Sequence, residues 1–115
     1  MKKYVWEFHP TAASVTTAFM CDFHNLVPNQ MHVSWFKASA QGTTSVPAIA
    51  FNTETGKLVI NYNWGANEGA TDSMFVIIES AYDGFWLDNP VISNGTYEEI
   101  AHDLVEVING SAGDS

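Results

Sequence analysis

The chain has 115 residues, 46% hydrophobic and 15% charged, with four lysines, no arginine and a formal net charge of −9. That length suits one domain with a single core, and the apolar content excludes wholesale disorder. So small a basic complement excludes a protein that grips nucleic-acid phosphates with clustered Lys/Arg, and equally a polybasic membrane-surface protein.

Cys21 is the only cysteine, which excludes an internal disulfide and points to a buried thiol. Lys2-Lys3 leads into no apolar stretch, because Glu7 and His9 interrupt it. The sequence therefore predicts no secretory signal and a cytoplasmic location. The longest apolar run, Met74 to Ile78, is too short to span a bilayer.

In chain order, residues 3–9 alternate, with Tyr4, Trp6 and Phe8 on one side and Val5, Glu7 and His9 on the other, which predicts a strand ended by Pro10. Thr11 is placed to cap a helix, and Val15, Phe19, Phe23 and Leu26 recur at helical spacing up to Pro28. The β-branched Val15-Thr16-Thr17 run lowers helix propensity, so packing must hold that helix. Met31, Val33 and Trp35 alternate with His32, Ser34 and Phe36, a second strand. Gly42 to Ser45 reads as a loop. Val46 to Phe51 and Leu58 to Trp64 flank a hairpin turn with Gly56 at a positive-φ position. In the second arm Leu58, Ile60, Tyr62 and Trp64 share the buried face, and Val59, Asn61 and Asn63 the other.

After the small-residue loop 65–72, the run Met74 to Ile78 predicts a central strand covered on both faces. Asp83-Gly84 signals a turn before a short strand, Phe85 to Leu87. Thr96 and Glu99 spell a capping box, and Tyr97, Ile100, Ala101, Leu104 and Ile108 a buried helical stripe closed by Gly110. The expectation is an α+β domain over residues 1–110, in the order β-α-β-β-β-β-β-α. Its mainly antiparallel sheet of five to six strands carries two packed helices, and residues 111–115 form a flexible tail.

Charge is unevenly placed. Residues 1–57 hold all four lysines against Glu7, Asp22 and Glu54, a balance of +1, whereas residues 58–115 hold ten acids and no lysine, a balance of −10. On the expected last helix Glu98, Glu99, Asp103 and Glu106 form one exposed acidic face, suited to steering a basic partner. His102, between Glu98 and Glu106, is a surface charge pair.

No motif names a reaction. Cys21 and His24, three apart, would share a helical face as metal ligands or as nucleophile and base, but no second Cys/His pair completes a metal site. No calcium loop, phosphate loop, dinucleotide fingerprint or GxSxG is present. Four Trp, four Tyr and seven Phe exceed what so small a core encloses. Trp35, Tyr62, Trp64 and Trp86 are thus candidates to line an interface or ligand site, with His32, Asn61 and Asn63 as polar partners.

The leading expectation is a small acidic, non-enzymatic binding protein, an inhibitor or escort of a basic partner protein, forming a homodimer and requiring no cofactor. The alternative is a small-molecule-binding domain or small enzyme with an aromatic-lined pocket between sheet and helices.

Overall fold

Large apolar side chains alternate with small or polar ones through most of the chain, and period-2 alternation is satisfied only by extended backbone. The computed structural model describes residues 1–38, 47–66 and 72–102. It forms nine strands: β1 (Lys2–Pro10), β2 (Thr16–His24), β3 (Met31–Lys37), β4 (Ala48–Asn52), β5 (Lys57–Asn63), β6 (Met74–Ser80), β7 (Trp86–Leu87), β8 (Val91–Ser93) and β9 (Gly95–His102). A single 3-10 turn, Pro28–Gln30, precedes β3.

The strands form two antiparallel sheets. One runs β3-β6-β1-β9; in the other β4, β5 and β2 are neighbours, and β7 and β8 both pair with the free side of β2. The pairs β1·β9, β2·β8, β3·β6 and β4·β5 nest inside one another, as in a long hairpin folded over on itself. Double-sheet jelly rolls use the same pairing logic.

The expected α+β architecture is therefore corrected: no α-helix is present among the described residues, and both segments expected to be helical are strands. In β2 the inward residues are Thr17, Phe19, Cys21 and Phe23, all buried. A spacing of four satisfies both period 2 and a helix, and here Thr17 and Cys21 fill the inward positions a helix would turn away. The Thr96 to His102 segment is β9, paired with β1; its buried helical stripe is not formed, and Ile100 is half exposed. Val5 pairs with Ala101 and Trp6 with Glu99, leaving Ile100 as the extra residue of a β-bulge. Leu104, Ile108, Gly110, the tail 111–115 and the Gly42 to Ser45 loop lie outside the described residues.

Other expectations match in part. β6 is interior to its sheet as expected but covered on one face only: Met74, Val76 and Ile78 are fully buried, and its outer side chains, Phe75, Ile77 and Glu79, are half buried. The hairpin between β4 and β5 has Gly56 at φ +78°. Its turn is held by Asn52, whose side-chain oxygen accepts from the Glu54 and Thr55 N–H groups at 2.9 and 3.2 Å.

The core is an aromatic seam between β1 and β2. Trp6 meets Phe19 at 5.1 Å between ring centroids, Phe8 meets Phe19 at 5.9 Å, and Tyr4 meets the edge of Phe23 at 6.5 Å. Each such buried side chain contributes roughly 1.5–3 kcal/mol. The chain passes from one sheet to the other between β8 and β9, at Asn94 (φ 58°). There the Asn94 carbonyl accepts from the Thr11 N–H, and the Asn94 side-chain NH₂ donates to the Thr16 carbonyl, both at 3.1 Å. Gly95 follows because an added Cβ would lie 2.4 Å from the His9 carbonyl oxygen.

Candidate functional site

Outward positions of β2 alternate with its core residues, so Met20, Asp22 and His24 project from the five-stranded sheet. β7 pairs with the end of this strand and sets Trp86 directly opposite His24. The two rings stack at 5.6 Å with planes 21° apart, and Trp86 remains 54% exposed. His24 Nε2 lies 3.0 Å from an Asp88 carboxylate oxygen. Asp88 is fixed in turn, its backbone N–H donating to the Asp22 carbonyl at 2.9 Å. Lys57 on β5 completes the group by pairing with Asp22 at 3.3 Å.

Beside the Asp22, Lys57 and Asp88 end of this group lies a groove of about 230 Å³ lined by Met20, Cys21, Asp22, Lys57, Asp88, Asn89 and Val91. A second, of about 250 Å³, runs between residues 23–26 and the 53–56 turn. Asn25, at the end of β2, donates to the Gly84 carbonyl at 3.0 Å and the Tyr82 hydroxyl at 3.2 Å. Those bonds anchor the loop that delivers Trp86. The result is an exposed indole stacked on His24, with the Asp88 carboxylate bonded to that histidine and shared with the adjoining groove.

The Cys21–His24 pairing expected on a helix is not formed. Three residues apart on a strand they point to opposite faces; Cys21 is inward and 3% exposed. Its thiol donates to the Asp88 carbonyl at 3.4 Å. Burial, with further repulsion from the Asp22, Asp88 and Glu99 carboxylates, pushes its pKa from about 9 up to about 12. Such a thiol is no nucleophile at neutral pH.

The remaining candidates are scattered. Tyr62 and Trp64 are buried core residues. Trp64 donates its indole N–H to the Thr17 hydroxyl at 3.2 Å. Trp35 is half-buried and packs on the same core. Asn61 and Asn63 lie on the outer face of β5, where Asn63 accepts from the Thr16 hydroxyl. His32 is exposed on edge strand β3, opposite Glu79. No pocket between sheet and helices unites them, since no α-helix is present among the described residues. Of the four, only Trp86 presents an open ring.

The single acidic helical face is likewise not formed. Glu98 is directly opposite Glu7 on the outer side of the four-stranded sheet, while Glu99 is opposite Trp6 and bonds His102. Asp103 and Glu106 lie outside the described residues.

One group escapes sequence reasoning. Glu7 and His9 are two apart on β1 and so share its outer face, and the register adds Glu98 from β9. One donor atom from each of the three lies within 4.8 Å of the others. Alternation groups the first two, but only the long-range β1·β9 pairing reveals the third. No helix among the described residues is long and apolar enough to cross a membrane. Comparison of the chain with protein-family models, curated proteins and solved structures finds no match.

Proposed function

We propose that this chain is a non-enzymatic binding module whose ligand face is the Trp86–His24–Asp88 platform. The carrying observation is a tryptophan held more than half exposed, its ring backed by His24 and its backbone paired to β2. A rigid indole with one open face offers large contact area at little entropic cost. Asp88, bonded to the His24 that backs this ring, also borders the neighbouring groove lined by Asp22, Lys57 and Asn89, which offers donors and acceptors to a ligand reaching past the indole. With a net charge of −9 and no arginine, anionic ligands are disfavoured. A neutral hydroxylated ring fits: the apolar face of a saccharide stacks on the indole while its hydroxyls meet the flanking polar groups. A cytoplasmic setting belongs to the same reading, and the free, buried Cys21 thiol is compatible with a reducing compartment.

The test is titration with a panel of neutral mono- and oligosaccharides, followed by tryptophan emission and by NMR amide shifts. Shifts centred on residues 22–24 and 86–89, abolished by Trp86→Ala with the melting temperature unchanged, support the reading. No response to any sugar, or binding that survives Trp86→Ala, overturns it.

A second reading keeps the basic partner protein. On the outer face of the four-stranded sheet Phe36 is half exposed and stacks on Phe75 at 4.8 Å, with planes 7° apart. Glu7, Glu79 and Glu98 lie on the same face. An apolar centre with an acidic border suits a partner carrying lysines around an apolar patch. A second copy fits it less well, because it brings carboxylates against carboxylates. Binding of such a partner should weaken with salt and vanish in Phe36→Asp; salt-independent capture would exclude it.

A further inference from the structure

We propose that Glu7, His9 and Glu98 form a binding site for one divalent transition-metal ion, of the zinc type, on the outer face of the four-stranded sheet. It is independent of the Trp86 platform, which lies on the other sheet.

The placement comes first. Two ligands at i and i+2 on β1 project from one face, and the third stands directly across on β9. Three donors are thereby fixed by backbone pairing rather than by loops, which is the condition for a preorganised site. The donor atoms already lie within 4.8 Å of one another. In a filled site, bonds of ~2.0–2.2 Å set donors roughly 3.3 Å apart, a contraction that side-chain torsions alone can supply.

The electrostatics point the same way. Like charges directly opposite across two strands are unfavourable, and Glu7 and Glu98 are such a pair. Glu7 is also half-buried, which weakens solvent screening of the repulsion. Lys2 is engaged on the Phe85 carbonyl, Lys3 lies near Glu79 and Lys57 pairs with Asp22. The basic group shown beside Glu7 is the ligand itself, His9, whose Nε2 is 3.8 Å from the Glu7 carboxylate. A metal ion bound by all three satisfies both carboxylates at once.

The donor set then selects the ion. One imidazole nitrogen and two carboxylate oxygens suit Zn²⁺ and its transition-metal neighbours. Calcium needs six to eight oxygens and magnesium a near-octahedral oxygen shell, so neither is well served by three ligands including a nitrogen. Remaining coordination positions face outward, where water fills them.

Calorimetric titration of the whole chain with Zn²⁺, and separately with Mg²⁺, tests this. The expected result is one Zn²⁺ per chain with no comparable Mg²⁺ binding, and a zinc-induced rise in melting temperature. His9→Ala and Glu98→Gln should each weaken zinc binding by about a hundredfold, while His24→Ala and His102→Ala leave it unchanged. Those two controls matter because His24–Asp88 and His102–Glu99 are the other His–carboxylate contacts among the described residues. Glu98→Gln also removes the opposed charge, so its metal-free melting temperature should equal or exceed that of the parent, separating lost binding from lost folding. Absent or non-stoichiometric zinc binding, equal affinity for Mg²⁺, or zinc binding undiminished in His9→Ala overturns the proposal.

Discussion

The indole N–H of Trp64 donates to the hydroxyl of Thr17 at 3.2 Å inside the core, whereas the equally buried indole N–H of Trp6 has no hydrogen-bond partner among the described residues. The two tryptophans therefore answer differently to the same substitution. Trp64→Phe breaks a bond and strands the Thr17 hydroxyl; Trp6→Phe removes an orphaned donor. Both lose similar volume. Trp64→Phe should destabilise by about 1–3 kcal/mol more than Trp6→Phe, the scale of an unsatisfied buried polar group. Urea unfolding of the two variants checks it, and equal losses would show that neither N–H matters energetically.

Gly56 is required twice over. Its φ is +78°, and a Cβ there would stand 2.0 Å from the Phe23 carbonyl oxygen. The same residue's carbonyl accepts the Phe23 N–H at 2.7 Å, so the hairpin end cannot move away without losing that bond. Gly56→Ala should cost about 2–4 kcal/mol, combining left-handed backbone strain with a forced shift of β2. A loss below 1 kcal/mol in denaturant titration would mean the turn relaxes freely.

Cys21 makes a pH-dependent prediction. Its folded pKa, about 12, lies above its ordinary value of about 9. The folded state thus keeps its proton where the unfolded chain has lost it, and stability present below pH 9 declines as pH rises from about 9 towards 12. Unfolding free energies measured across that range should fall more steeply for the parent than for Cys21→Ala. Native protein should also resist a thiol reagent at pH 8 and react at once in denaturant; equal rates in both states would contradict the burial.

Trp86 should dominate collisional quenching. Trp6 and Trp64 are buried and Trp35 is half-buried, so an uncharged quencher such as acrylamide reaches chiefly the ring at position 86. Trp86→Phe should remove most of the acrylamide-quenchable emission while leaving the unfolding free energy within about 0.5 kcal/mol, the usual range for exposed positions. Undiminished quenching in that variant would show another indole to be open.

The strands were readable from alternation in β1, β3 and β5, and from a continuous apolar run in β6. The two misread segments fail for separate reasons. Val15, Phe19 and Phe23 are spaced by four, a multiple of two that also approximates a helical turn, and the discriminating clue was the β-branched run 15–17 together with Thr17 and Cys21 between them. In β9 the i, i+3, i+4 spacing of Tyr97, Ile100 and Ala101 imitates a helical stripe, but the bulge at Ile100 reverses parity and sets Tyr97 opposite Phe8 and Ala101 opposite Val5, on different faces. Site residues suffered more. Trp86 was recognisable as an aromatic beside a turn, but its His24 neighbour depends on the β2·β7 register, just as Glu98 depends on β1·β9. Local pattern carries no information about partners set by non-local pairing.

The β1·β9 register also determines how the domain meets force. Tyr4 pairs with His102 and Pro10 with Gly95, so the beginning of β1 and the end of β9 lie side by side. Tension applied at Lys2 and His102 opens this ladder from that end, one hydrogen bond after another, instead of loading all its bonds in parallel shear. Stretched from these points, the sandwich yields at low force and sheds β9 first, uncovering Phe19 where Tyr97 had packed against it.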